Sequence, residues 1–180
     1  GKNARYELTR FLDTVDAVYL DTQESRGLID RNNKAFVGAM RAAAMNGADL
    51  VITVGRKLDY QLGFGSPAVF PEAKFLRLAD STGELIDNRR GDVEVLADVK
   101  TSLNALSDVL NMNAGERDSN WLDDLRDKHL KRIQKTGARV NDNVGPDGKI
   151  HPMAIFDAIA QVATDDYIAV ADGGDLLSFA

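Results

Sequence analysis

The chain has 180 residues, enough for one full domain of ordinary size and part of a second. Its 44% hydrophobic and 28% charged residues sit in the ordinary globular range, which excludes a disordered or fibrous class. Lys and Arg number 22 against 28 Asp and Glu, a net charge of −6 with the signs interspersed, so no basic stripe is present for nucleic acid to follow. With no cysteine, disulfides, thiolate metal sites and a cysteine nucleophile are ruled out. No apolar run approaches the ~20 residues of a membrane span, and Gly1-Lys2-Asn3-Ala4-Arg5 lacks the apolar core of a signal peptide. A cytoplasmic protein with no membrane and no nucleic-acid partner is expected.

In chain order, Tyr6, Leu8, Phe11 and Leu12 mark a helical face over 5–12, and Ala17-Val18-Tyr19-Leu20 reads as a short buried strand. Residues 34–46 are rich in Ala and Met at helical spacing and end at Gly47, which predicts a helix feeding the strand Leu50-Val51-Ile52-Thr53-Val54. Lys74 to Leu78 is a further strand. Ser81, with Glu84 three residues on, can cap a short helix, and Asp92 to Leu96 is a strand followed by a helix from Val99 to Leu110. Strands alternating with helices predict an α/β domain with a doubly wound, Rossmann-like parallel sheet over 1–112. Because such a sheet normally opens with a strand and this chain opens with a helix, a first strand is expected upstream.

From Asn113 to Lys149 the sequence turns polar around a charged helix, 121–135, and this stretch reads as a connector whose Trp121, Leu122, Leu125, His129 and Ile133 can pack one face. Pro152 opens another helix carrying Ile155, Phe156, Ile159 and Val162, ahead of the strand Tyr167-Ile168-Ala169-Val170. This first helix–strand unit of a second α/β domain, 150–180, has no sheet partner of its own. Its apolar face is expected to be exposed unless it packs on the first domain, and the stretch is expected to be mobile or to pair with another chain.

Three stretches could carry chemistry. Gly173-Gly174 follows a strand and precedes a helix start, where backbone N–H groups can approach an anion, although double glycines there are more often tight turns. Gly55-Arg56-Lys57-Leu58-Asp59-Tyr60 also follows a strand, and Leu62-Gly63-Phe64-Gly65-Ser66-Pro67 is a Gly-rich loop at the same edge. A nucleotide could lie across it, though neither stretch is a G-x-G-x-x-G or a P-loop, and a plain solvated connecting loop explains them as well. The two histidines, His129 and His151, stand in no H-x-x-x-H pattern, Asp123 and Asp124 point in different directions on a helix, and no serine sits in a G-x-S-x-G elbow.

Taken together, Ala48 to Asp59, Lys74 to Leu78, Asn88-Arg89, Ala97-Asp98-Val99, Ile150-His151-Pro152 and Ala171-Asp172-Gly173-Gly174-Asp175 resemble the thiamine-diphosphate-dependent enzymes of the acetolactate synthase type. Residues 5–112 resemble the family's middle domain and 150–180 the opening of its pyrophosphate-binding domain. The resemblance implies a parent protein that is a lyase, decarboxylase or carboligase (transferase) for 2-keto acids, with thiamine diphosphate (thiamine pyrophosphate) and magnesium as cofactors and a homo-oligomeric assembly. It also implies that the activating glutamate and the metal-binding motif belong to other parts of the parent, so this chain alone holds no catalytic residue. Asp172, Gly173, Gly174, Asp175 and Leu176 match the loop that touches thiamine diphosphate.

Relatives bind FAD or ADP in the middle domain through an Arg after the third strand's Gly, an Asp after the fourth strand and a Gly-Asp pair near the fifth. Here these positions read Gly55 with Lys57, Ala79 with Asp80, and Ala97 with Asp98, each a departure from the family pattern. The Gly63-Phe64-Gly65 loop also resembles 2-hydroxyacyl-CoA lyases, which keeps an acyl-CoA substrate and an oxalyl-CoA decarboxylase-like enzyme open. A non-catalytic structural domain is a further alternative, and a stand-alone dehydrogenase is disfavoured by the missing glycine fingerprint.

Overall fold

Leu50–Val54 (β1), Lys74–Ala79 (β2) and Val93–Leu96 (β3) are apolar runs too short for helices, and they pair side by side, all parallel, in the order β1-β2-β3. The computed structural model describes residues 4–22, 25–113, 120–140 (138–140 in backbone only) and 147–164. The register sets Val54 opposite Leu78 and Ala79 opposite Leu96, so the carboxyl ends of the three strands are level. The helices are Arg5–Val15 (α1), Arg41–Gly47 (α2), Thr82–Leu85 (α3), Val99–Met112 (α4), Asn120–Val140 (α5) and Pro152–Val162 (α6). The chain divides into two units, Gly1–His129 and Leu130–Ala180.

In the first unit, strand alternation sends side chains to two apolar layers. Ile52, Val54, Leu76, Leu78 and Val95 face Leu8, Phe11 and Leu12 of α1 and Val99 and Leu103 of α4. Val51 and Phe75 face the opposite layer, with Met45 of α2 and the loop residues Leu58, Leu62 and Phe70. Arg10 ties α1 to α4 through Asn104 at 3.1 Å and through Asp108. Cover on both sheet faces is the doubly wound arrangement expected from the alternation of elements.

Two expected elements are corrected. Residues 34–46 do not form one helix: Tyr19 N–H donates to Ala35 O at 2.6 Å and Val37 N–H to Tyr19 O at 3.3 Å, so Phe36 is held in a bridge to Tyr19 and a 3-10 turn at Gly38–Met40 precedes α2. A non-local pairing overrides the helical propensity of the Ala-rich stretch. Ala17 to Leu20, in turn, forms a single bridge at Tyr19 among the described residues in place of a strand.

The beginning of α5 belongs to the first unit. Leu125 packs with Val37 and Ala44, with Trp121 beside them, and Arg126 donates to Phe36 O at 2.6 Å, Arg31 O at 3.2 Å and Asn32 O at 3.3 Å. His129 is buried with its Nδ1 accepting Ala39 N–H at 3.1 Å, edge-on to Phe36, whereas Ile133 is half exposed. Burial first, and then the Arg126 charge, push the His129 pKa below its ordinary 6.5.

The unfolded chain therefore takes up this proton before the folded one does. The stability His129 contributes is complete above about pH 6.5 and is lost as pH falls through the depressed folded value. Urea midpoints measured from pH 8 to 5 are expected to fall over that window in the native chain and to fall less in His129→Gln.

The second unit is described at α6, where His151 caps the helix by accepting Met153 N–H at 3.1 Å and Pro152 occupies its first turn. Ile150, Ile155, Ile159 and Val162 are exposed, and a hollow runs along Ala154, Ala158 and these residues. The expected strand 167–170 and the turn 172–176 lie outside the described residues. Among the described residues no helix is long and apolar enough to cross a membrane.

Candidate functional site at the carboxyl edge of the sheet

Because the strands are parallel and level, whatever follows them gathers at one edge, where ligands of open α/β sheets bind. Gly55 comes directly after β1 and takes a left-handed φ of 57°, with its N–H donating to Leu78 O at 2.8 Å. Asp80 comes directly after β2 and is exposed. Ala97 N–H donates to Ala79 O at 2.9 Å, and Asp98 comes next. Three of the four residues named from sequence for a nucleotide thus meet at this edge, and the fourth, Lys57, is exposed on the loop after Gly55.

These residues are committed to different degrees. Asp98 caps α4, accepting Thr101 N–H and Oγ1–H at 2.9 Å each, and those bonds hold its carboxyl below the usual range. Ser81 Oγ accepts Gly83 N–H at 3.3 Å as the cap of α3. The buried Glu84 Oε2 has no hydrogen-bond partner and lies 3.8 Å from where a Cβ on Gly55 would stand. A glycine without a side chain and an unpartnered carboxylate oxygen thus meet at this corner.

The loop from Arg56 to Gly65 is more ordered than a solvated connector. Arg56 donates to Asp59 Oδ1 at 2.9 Å and Gln61 Oε1 at 3.1 Å, while Arg41 donates to Gln61 O at 3.0 Å. Burial works against ionisation of Asp59, but Arg56 and the Gln61 and Leu62 N–H groups outweigh it and hold the carboxyl below its ordinary value. Burial, then the nearby Arg56 charge, lower the Arg41 pKa. Beyond them Gly63, Phe64 and Gly65 are left-handed in succession, with Phe64 at φ 55° and half exposed, and Tyr60 is exposed. An aromatic residue held in that region is strained, and such strain concentrates at functional sites.

The loop is pinned from below by an arginine that sequence reading passed over. Arg77 in β2 is fully buried and donates to Asp87 Oδ1 at 2.8 Å and Oδ2 at 2.6 Å, and to the main-chain oxygens of Glu84, Leu85 and Arg89. Asp87 also accepts Leu58 N–H at 2.7 Å. Arg89 donates to Gly65 O at 2.6 Å and Ala73 O at 3.1 Å with its guanidinium 4.2 Å from the Phe75 ring centroid. The only available signal was an arginine in an apolar strand run, which demands a buried partner.

The edge offers positive charge, a carboxylate and a glycine backbone, which suits binding; among the described residues no nucleophile and base are paired there. Among the described residues no three His, Asp or Glu side chains converge on a metal position. The turn from Asp172 to Leu176 lies outside the described residues.

Compared with known proteins, residues 1–106 match the family model of the thiamine pyrophosphate enzyme central domain. The chain belongs to this family. As a thiamine pyrophosphate enzyme central domain, it is 29% identical over 160 residues to 2-hydroxyacyl-CoA lyase 2 of Caenorhabditis elegans, covering 87% of this chain and 25% of that protein. It is 23% identical over 182 residues to oxalyl-CoA decarboxylase of Escherichia coli, covering 98% and 32%. With a probable acetolactate synthase of Mycobacterium bovis the identity is 25% over 178 residues, covering 99% and 31%. The chain thus spans about a quarter to a third of the length of these curated relatives.

Proposed function

We propose that this chain is the middle domain, 1–112, with a helical connector, 113–149, and the opening of the pyrophosphate-binding domain, 150–180, of a thiamine-diphosphate-dependent carboligase or decarboxylase acting on 2-keto acids. The observation that carries the reading is the family match over residues 1–106, on a parallel α/β unit of the kind that family requires. Thiamine diphosphate, held with Mg²⁺, would supply the electron sink for breaking or forming the carbon–carbon bond at the substrate carbonyl carbon. Asp172, Gly173, Gly174, Asp175 and Leu176 are assigned to touch it.

At the carboxyl edge, FAD or ADP would find backbone room over Gly55, the Lys57 ammonium for its phosphates and the Asp80 carboxylate for a ribose hydroxyl. Asp98, already engaged with Thr101, would contribute its position as the N-cap of α4. A cytoplasmic homo-oligomer without nucleic-acid or membrane partners completes the proposal.

A second reading has the parent act on an acyl-CoA, as a 2-hydroxyacyl-CoA lyase or oxalyl-CoA decarboxylase. It is favoured by the identities to relatives so named and by the Gly63-Phe64-Gly65 loop. The parent protein, supplied with thiamine diphosphate and Mg²⁺, is to be offered a 2-keto acid, a 2-hydroxyacyl-CoA and oxalyl-CoA in parallel. Turnover of the keto acid is the expected result, and preferential turnover of either CoA ester would establish the second reading. No cofactor-dependent turnover of any of them would leave a structural domain and contradict both.

A further inference from the structure

Of the three left-handed residues that end the loop after β1, glycine occupies the two flanks, Gly63 at φ 53° and Gly65 at φ 69°, and Phe64 at φ 55° alone carries a side chain. For so bulky a residue this backbone is an outlier. The loop enforces it: Phe64 N–H donates to Asp59 O at 2.8 Å, Ser66 N–H to Gly63 O at 2.9 Å, and Arg89 to Gly65 O at 2.6 Å. Burial of the ring does not offset the strain. Phe64 stays 49% exposed, whereas Phe70 and Phe75 of the adjoining core are buried and meet edge to face with centroids 5.3 Å apart. An enforced outlier from which packing gains little points to function.

Charges on the same loop indicate what the ring meets. Arg41 and Arg56 converge on Gln61, bonding its main-chain O at 3.0 Å and its Oε1 at 3.1 Å, and Arg56 Nε is buried without a hydrogen-bond partner. Asp59 joins Arg56 to Phe64, accepting from the first at Oδ1 and from the second at its main-chain O. A ligand that answers both features has a flat ring for the aromatic face and an anionic group for the guanidinium groups, and an adenosine phosphate has the two together. We propose that Phe64 is a specificity-determining residue of the carboxyl edge, whose ring is the stacking surface for the adenine of an adenosine-phosphate ligand. This rests on the reading that the edge takes a nucleotide or that the parent takes an acyl-CoA, and it adds the residue that recognises the base. Adenine is common to ADP, FAD and CoA, so the recognition is the same whichever of them supplies it.

Isothermal titration of the intact parent with ADP, FAD, CoA and thiamine diphosphate, repeated on Phe64→Gly and Phe64→Tyr, is the test. Glycine accepts the left-handed backbone, so Phe64→Gly removes the ring without adding strain. Its affinity for those adenine-bearing ligands that the native parent binds is expected to fall at least about fivefold, the lower end of what a stacking ring supplies, while Phe64→Tyr stays within about twofold of native. Thiamine diphosphate should bind equally to all three proteins. A loss confined to ADP or FAD identifies a held nucleotide as the source of the base, and one confined to CoA identifies the substrate. Equal affinities in the native parent and Phe64→Gly would overturn the proposal and leave the reading of the edge intact. So would a loss that extends to thiamine diphosphate, which marks a distorted loop, or an equal loss in Phe64→Tyr. A native parent that binds none of ADP, FAD and CoA would end both the reading and the proposal.

Discussion

Arg77→Ala is expected to lower folding stability by about 3–5 kcal/mol, the range for breaking a buried ion pair from one side. The guanidinium is fully buried, and its removal strands the Asp87 carboxylate together with three main-chain oxygens that accept from it. Asp87→Ala should cost a similar amount, because it leaves a buried cation and removes the acceptor of Leu58 N–H. In the double variant the losses should not add, since each single change already destroys the same contact. Urea unfolding of the four proteins measures this, and two single losses each under about 1 kcal/mol would show that the pair does not hold the loops of the carboxyl edge in place.

Gly63→Ala is expected to be nearly as damaging, by about 2–4 kcal/mol, since left-handed backbone strain and overpacking act together. The residue has φ 53°, and a Cβ would stand 2.4 Å from Val69 Cγ2. Val69 packs against the cluster of Leu58, Leu62, Phe70 and Phe75, so it cannot withdraw freely. Gly83→Ala is the matched control: Gly83 has no positive φ and its Cβ would meet only Ser81 Oγ at 3.6 Å. Equal midpoints for the two variants would remove the argument that the Gly63–Gly65 loop is held in one conformation.

Local signals made the three strands legible: each is a short apolar run, and Gly55 stops β1 just as its left-handed φ requires. The alternation of these runs with helices was enough to bring Gly55, Asp80 and Asp98 to one edge, because parallel strands share a carboxyl side. Residues 34–40 were not legible, since the bridge that takes Phe36 out of a helix depends on Tyr19, far away in sequence. The face of α5 was read correctly as far as His129 and wrongly at Ile133, where periodicity continues but the packed surface does not.

At the site, charge pattern alone could not separate Lys57, which is exposed, from Arg56, which is tied to Asp59 and Gln61. Nor could it reveal that Asp87 answers Arg77. Such pairings are fixed by the path of loops, and loops leave little periodic signal in a sequence.

The central claim, membership of a catalyst built around thiamine diphosphate, is tested most directly by stripping the parent protein of that cofactor and of Mg²⁺ with a chelator and assaying carbon–carbon bond cleavage of a 2-keto acid. Turnover should disappear on stripping and return when both are restored together. Turnover that persists in the stripped protein, or that fails to return although thiamine diphosphate rebinds, would contradict the account.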